Sequence, residues 1–208
     1  MPSKKPWDRS SEGRARATAE RRRVLIVCED EKSACFYFRA FRMNPERTEL
    51  VAVGTGMNTD SLVEHAVTLQ QKAEIRRAPY VQIWCVFDRD DFPIVKYRRA
   101  FDLARQNGIK VAWANEAFEL WYLLHFNYHD SAISRHNYPA KLSPHFSYDK
   151  ADATVYERLK PRQMNALRNA KTLERRWHML GENHSENQNP STGIHKLVEY
   201  LNELSELD

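Results

Sequence analysis

The chain has only three cysteines, Cys28, Cys35 and Cys85. They are odd in number and match no zinc spacing, which excludes a disulfide framework as the organising device. Cys28 and Cys85 sit inside apolar runs and read as small buried hydrophobes. No stretch approaches the ~20 apolar residues that span a bilayer, and no basic-then-apolar leader precedes a cleavage site. The expectation is a soluble, cytoplasmic protein with no membrane partner. A Gly-x-x-x-x-Gly-Lys-Ser/Thr run is also missing, so any use of ATP must come from another subunit. His125 and His129 have the spacing of a helical metal pair but lack the Glu of the His-Glu-x-x-His arrangement, which leaves packing or a phosphate contact as the reading for His125. There is no low-complexity tract.

What is present suits one compact domain. The chain has 208 residues, 29% charged and 42% hydrophobic, with 5 Trp, 9 Tyr and 9 Phe. The mean hydropathy of −0.71 is low, yet this aromatic content argues against wholesale disorder. A chain of this length buries roughly 70% of its unfolded surface, enough for an α/β or α+β core. The formal net charge of +4 is unevenly spread. Residues 1–23 carry eight Lys/Arg against three acids, and the remaining residues carry 24 against 25. The sequence pI of about 8.9 therefore describes an arm, not the body. Residues 1–21, polar and without an apolar period, read as a flexible basic arm that can touch nucleic acid or simply keep the protein in solution.

Along the body, short apolar runs alternate with helical patterns. Val24 to Cys28 has the look of a buried parallel strand running into Glu29-Asp30-Glu31. A helix follows from Ser33, a plausible N-cap, to Arg42. Leu50 to Val53 is a second strand, followed by a helix over about 60–76. Tyr80 to Phe87 is the most apolar strand candidate and ends in Asp88-Arg89-Asp90-Asp91. Pro93 can open the next helix, which runs to about Gln106 before the Asn107-Gly108 turn. Lys110 to Trp113 is a fourth strand and Ala117 to Phe126 an aromatic-rich helix. This rhythm implies βαβ units, with a parallel sheet between helices. Residues 127–150 lose the period and read as an insertion or lid-like loop. Residues 151–180 are helical and basic, and a final helix spans about 191–204.

Ligands of open parallel sheets bind outside the carboxyl ends of the strands. Two acidic clusters fall there: Glu29 after the first strand and Asp88, Asp90 and Asp91 after the third. If those strands are neighbours, Glu29 and Asp88 face one crevice. Hard oxygen donors without His or Cys suit Mg²⁺ or Mn²⁺, and such an ion can activate water and stabilise charge on a phosphoryl oxygen. The plainer explanation is helix capping, since acids are favourable at helix N-termini; it fits Asp91 best, just before Phe92-Pro93.

Three blocks carry a family resemblance: Val-Leu-Ile-Val-Cys-Glu at 24–29, Val-Phe-Asp-Arg-Asp-Asp at 86–91, and Asn115-Glu-Ala-Phe-Glu-Leu-Trp-Tyr-Leu-Leu-His-Phe at 115–126. In this order they resemble the RloB family, whose members are similar to Toprim-domain proteins of bacterial and archaeal defence loci. The segment Asn189-Pro-Ser-Thr-Gly-Ile-His-Lys resembles that family's C-terminal part. The resemblance spans roughly residues 22 to 201. It implies a Toprim-like fold: a mostly parallel four-stranded sheet sandwiched by helices over 22–126, with a loop and helical extension over 127–208 packed on it. It also implies that Glu29, Asp88 and Asp90 bind Mg²⁺ and serve phosphodiester chemistry. Two positions depart from the family pattern: Asp30 stands where Gly is usual, and Glu116 where Pro is usual. Asn115 and Glu119, at and just past the end of the fourth strand, can complete the crevice or cap the helix there, Asn115 favouring the cap.

The basic helix over 157–176 offers Arg158, Arg162, Arg168, Lys171 and Arg175 to phosphates, although faces this charged are commonly just solvated. Tyr138, His145, Phe146 and Tyr148 can stack on unpaired bases, with ordinary loop packing the simpler reading. The expected function is a Mg²⁺-dependent nuclease, cleaving DNA or RNA (tRNA among the candidates) as an anti-phage effector held by an ABC- or AAA-type ATPase. In that reading Glu29 is also a candidate general base. The alternative is a non-catalytic Toprim-like subunit that binds nucleic acid or an ATPase. Small-molecule phosphoryl transfer is a third class, disfavoured because no Asp-x-Asp follows the first strand.

Overall fold

The computed structural model describes residues 21–89 and 92–208. The basic arm, apart from Arg21, and the site candidates Asp90 and Asp91 lie outside these described residues.

The first half is a βαβ series: β1 (Arg22–Cys28), α1 (Ser33–Arg39), β2 (Thr48–Gly54), α2 (Thr59–Ile75), β3 (Gln82–Asp88), α3 (Ile94–Gln106) and β4 (Lys110–Asn115). The four strands run parallel, with β1 between β2 and β3 and β4 beyond β3. β1 reads as an unbroken apolar run because both its faces are covered. Val24, Ile26 and Cys28 point into one core with Trp84 and Val86, while Leu25 and Val27 point into the other with Ile83, Cys85 and Phe87. Helices α2 and α3 cover the second face through Leu62, Val63, Tyr97 and Ala100. All three cysteines are free and buried.

The first face carries α1 and α4 (Glu119–Leu124) together with elements from the rest of the chain. These are α5 (Tyr138–Leu142), α6 (Val155–Leu159), α7 (Gln163–Met179) and α8 (Ile194–Leu207). Leu167 and Leu173 of α7 and Leu197 and Leu201 of α8 share one buried cluster with Tyr37 and Trp121. Tyr37 is a hub: its ring meets Phe118 at 6.0 Å and Tyr156 at 5.2 Å, both edge-on. Such geometry satisfies the ring quadrupoles.

Several elements differ from the sequence-based expectation. The sheet has five strands, not four, because β5 (Ser191–Thr192) pairs antiparallel with Ala114 and Asn115 of β4. Two residues show no periodicity, so this strand exists only by tertiary pairing, reinforced by the Thr192 hydroxyl donating to the Trp113 carbonyl at 2.9 Å. The last helix accordingly starts at Ile194, not 191. Gly193 is required there, because a Cβ would lie 2.4 Å from the Trp113 ring.

The basic helix is not continuous. α6 ends at Leu159, a single tight turn spans Lys160–Arg162, and α7 begins at Gln163. Pro161 cannot donate to an α-helical ladder, which accounts for the break. Ser33 does not cap α1, whose N-cap position is Lys32 without a side-chain hydrogen bond. Among the described residues no helix is long and apolar enough to cross a membrane.

Candidate metal and phosphate site

The acidic crevice forms where the topology calls for it. β1 and β3 are parallel neighbours with Cys28 opposite Val86, and the order β2-β1-β3 reverses direction at β1. A crevice at such a switch point opens outside the strand ends. The Glu29 N–H extends the ladder by donating to the Val86 carbonyl at 2.9 Å. The Asp88 N–H then donates to Glu29 Oε2 at 3.1 Å. Backbone pairing thus aims the Glu29 carboxylate at the end of β3. The cavity here, about 310 Å³, is lined by Glu29, Asp30, Asn58, Asp88, Arg135 and Lys150 among others. Gly54 lets the acidic loop lie flat on the end of β2: a Cβ there would sit 2.5 Å from the Glu31 Cα and 2.8 Å from the Asp30 carbonyl oxygen.

Burial pushes the Glu29 carboxyl up to about 7, against the lowering effects of the Asp88 N–H and Arg135. Asp88 is pushed well above the carboxylate range, first by burial and then by the charges of Glu119, Glu29 and Asp30. Carboxyls crowded this way favour either protons or a cation. Glu119 is 8% exposed, and its Oε1 accepts the Ser33 hydroxyl at 3.1 Å and the Tyr148 hydroxyl. Ser33 is in turn bracketed by the Tyr122 hydroxyl, which donates to its carbonyl at 2.8 Å. Glu119 is therefore anchored from two sides; it does not line the cavity but lies behind it, near enough for its charge to raise Asp88. Asn115 does not cap α4; its amide donates to the Ser185 carbonyl at 3.2 Å. Glu31, beside the site in sequence, is exposed.

The segment over 127–150, aperiodic in sequence, closes one side of the crevice. Arg135 Nη2 lies 3.9 Å from Asp88 Oδ2, and Lys150 Nζ lies 3.4 Å from Asp30 Oδ2. Glu116 positions this segment by accepting the Arg135 N–H and the Asn189 amide, each at 3.0 Å. Tyr138 is fully buried and its hydroxyl has no hydrogen-bond partner among the described residues. Burial and the charges of Asp88, Glu119 and Glu116 raise its pKa, so the phenol stays protonated. Sequence reasoning missed Arg135 and Lys150. Their only signal was negative: a stretch that builds no apolar face needs another use for its charged side chains.

The donor chemistry fits a hard divalent cation. Among the described residues no three His, Cys, Asp or Glu side chains stand in ligating geometry. Mg²⁺, however, keeps several waters and is commonly held by one or two carboxylates. Glu29 and Asp88, with Glu119 behind them, supply that number.

The remaining candidates separate. Arg168, Lys171 and Arg175 line one groove of about 570 Å³ between α7 and α8. Arg158 and Arg162 do not line it: Arg158 pairs with Asp152 at 3.5 Å, and Arg162 lies over the Phe126 ring at 5.2 Å. The break at Pro161 is what puts them elsewhere. Within the groove Lys171 pairs with Glu199, and Arg175 donates to the Thr172 hydroxyl at 3.1 Å. The loop aromatics pack internally: His145 stacks on Phe126 at 4.3 Å, and Phe146 meets Tyr148 edge-on. His125 is buried, with its Nδ1 2.8 Å from the Trp121 carbonyl. Burial lowers its pKa to about 4. α4 ends at Leu124, so His125 and His129 are not a helical pair. A cavity of about 510 Å³ between α3 and β5 is larger than the crevice, but its charges are paired among themselves: Arg98 with Glu186 at 2.6 Å and Lys196 with Glu174 at 2.7 Å.

The model of RloB-like proteins matches residues 24–201. The chain belongs to the RloB-like family. The match begins within β1 and ends within α8, so it takes in every carboxylate of the crevice and the segment that closes it. No curated protein and no solved structure matches this RloB-like chain.

Proposed function

We propose that this RloB-like protein is a Mg²⁺-dependent nuclease whose site is the Glu29–Asp88 crevice. The observation that carries the reading is the convergence of two carboxyls from adjacent parallel strands, joined by the Asp88 N–H on Glu29 Oε2 at 3.1 Å. A bound divalent ion supplies charge neutralisation at the scissile phosphate and an acidified water. Glu29 and Asp88 would hold it, with Asp90 and Asp91 as further candidates from the same loop and Glu119 behind. Glu29, raised to about 7 by burial, is in the range for accepting a proton at neutral pH. Arg168, Lys171 and Arg175 offer a basic groove along which a nucleic-acid strand can lie.

The Toprim-like character of the fold, a role as an anti-phage effector and control by an ATPase partner extend this reading through the family resemblance. The chain itself lacks a phosphate loop for ATP. The test is cleavage of single- and double-stranded DNA and of RNA by purified protein with Mg²⁺ or Mn²⁺, alongside Glu29→Ala and Asp88→Ala. The expected result is metal-dependent cleavage by the wild type, reduced at least a hundredfold in both variants. Undiminished cleavage by either variant sinks the proposal. A wild type that binds no divalent ion in calorimetry favours instead the non-catalytic subunit, a reading supported by Asp30 at the family's usual Gly and by the cations already paired with these carboxylates.

A further inference from the structure

The cavity of about 510 Å³ between α3 and β5 has no part in the metal chemistry above, yet it lies at the same end of the sheet. Asp88 of the crevice is in register with Ala114, and Ala114 with Thr192, which lines the cavity. Two strand spacings, about 10 Å, therefore separate the crevice from the cavity wall. The volume is that of a small-molecule site. Tyr97, Phe101 and Trp113 give it an aromatic lining, with Phe101 meeting Trp113 at 5.7 Å and Tyr97 at 5.0 Å. Phe101 and Trp113 are only partly buried, so ring surface remains accessible there. The outer wall is fastened to the sheet. The Ser185 hydroxyl lies 3.2 Å from the Tyr97 hydroxyl, and the Ser185 carbonyl accepts the Asn115 amide at 3.2 Å.

The charges of the cavity narrow the choice of ligand. Arg98 is engaged by Glu186 at 2.6 Å and Lys196 by Glu174 at 2.7 Å, so these pairs favour neither an anion nor a cation. A wholly apolar ligand would cover their polar rim without replacing its water. A planar heterocycle suits both features: its faces stack on the rings, and its edge carries donors and acceptors. Continuity with the basic groove names the source of that heterocycle. Glu174 and Lys196 line both the cavity and the groove of Arg168, Lys171 and Arg175. Lys196 stands at the junction, its Nζ over the Trp113 ring at 5.5 Å. A strand whose phosphates follow the groove thus arrives at the rim of the cavity. A base inside a duplex is stacked and paired and cannot enter without being flipped out.

We propose that this cavity holds one unpaired base of a nucleic-acid strand, stacked against Trp113 and Phe101, while the strand's phosphates lie along the α7 groove and a linkage close by reaches the Glu29–Asp88 crevice. The substrate class is accordingly single-stranded nucleic acid, or a duplex with a flipped or looped-out nucleotide. The pocket rests on the reading above in that the chain binds nucleic acid; it does not require cleavage.

The test follows the anisotropy of three fluorescent ligands in Ca²⁺: a short single strand, the blunt duplex of the same sequence, and an abasic strand of the same length. The proteins are the full chain and its Trp113→Leu, Phe101→Leu and Trp113→Phe variants. Wild type is expected to bind the base-bearing strand at least about fivefold more tightly than the abasic one. Trp113→Leu lowers affinity for the base-bearing strand about five- to thirtyfold and alters duplex and abasic binding by less than about twofold. Its salt slope stays that of wild type, because no phosphate contact is lost. Trp113→Phe keeps a ring and retains most of the single-strand affinity; a Trp113→Phe as weak as Trp113→Leu overturns the stacking. Equal losses on single strand and duplex, the mark of a purely structural role for Trp113, overturn the pocket, as does an unchanged single-strand affinity. Should Trp113→Leu lose its thermal transition, Phe101→Leu is read in the same way. The wild-type comparison needs no variant, and equal affinities for base-bearing and abasic strands overturn the proposal by themselves. A wild type that binds none of the three ligands defeats the nucleic-acid reading and the pocket together. One that binds strand and duplex without these contrasts defeats only the pocket, and one that shows them but cleaves nothing keeps the pocket and loses the nuclease.

Discussion

Replacing Glu29 by Gln should flatten the pH dependence of stability, and the structure sets the size of the effect. Burial raises the Glu29 carboxyl from 4.5 to about 7. Between those values the folded protein holds a proton that the unfolded chain has released, so stability falls as pH rises. The contribution of Glu29 is complete below pH 4.5 and is lost as pH passes through about 7. A shift of this size corresponds to about 3 kcal/mol. Glutamine keeps an acceptor for the Asp88 N–H and removes the charge. It also relieves Asp88, which Glu29 pushes upward. Urea unfolding in chelator at half-unit steps from pH 4.5 to 8.5 should show wild type losing about 3 kcal/mol more than Glu29→Gln over that range. Adding Mg²⁺ at pH 8 should restore wild type and leave Glu29→Gln unmoved, since a ligand stabilises only the state that binds it. Parallel pH profiles for the two proteins would refute the argument that Glu29 is a desolvated carboxylate under strain from its neighbours.

Three further outcomes are expected. Gly54→Ala places a Cβ 2.5 Å from the Glu31 Cα; it should destabilise by about 1–3 kcal/mol in urea unfolding and weaken divalent-ion binding by displacing the acidic loop. Tyr148→Phe removes a hydrogen bond to the buried Glu119 carboxylate and should cost about 1.5–3 kcal/mol, more than a Tyr→Phe change at the exposed Tyr128. Arg168, Lys171 and Arg175 changed together to Gln should reduce the log–log salt slope of duplex binding by about two to three, at about 0.9 per phosphate contact; an unchanged slope would remove the α7 groove from the interface.

The βαβ order and the sheet's burial on both faces were legible because they are local and repetitive. Runs such as Val24 to Cys28 and Ile83 to Phe87 are apolar on consecutive residues, and only a doubly covered strand tolerates that. The acidic ends of β1 and β3 were legible too, because β-strand termini follow from the same runs. Adjacency of β1 and β3 was conditional in sequence and is fixed by the ladder from Val24–Gln82 to Cys28–Val86. What local pattern hid was everything held by distant partners. Ser33 reads as a cap by position, yet its hydroxyl is taken by Glu119, 86 residues away. Ser191 and Thr192 read as the start of a helix, yet they lengthen the sheet because Asn115 and Ala114 are there to pair with them. Arg158 and Arg162 read as one face with Arg168, yet Pro161 turns them aside.

The sequence alone therefore determined which carboxyls stand at strand ends, since backbone periodicity carries that information residue by residue. The tertiary structure decided what surrounds them. Arg135, Tyr138, Tyr148 and Lys150 come from a stretch with no period, and their meeting with Asp88, Glu119 and Asp30 depends on chain segments up to 120 residues apart (Lys150 and Asp30). Electrostatic neighbours and desolvation are properties of that assembled space, so the raised carboxyls of Glu29 and Asp88 exist only in the folded chain.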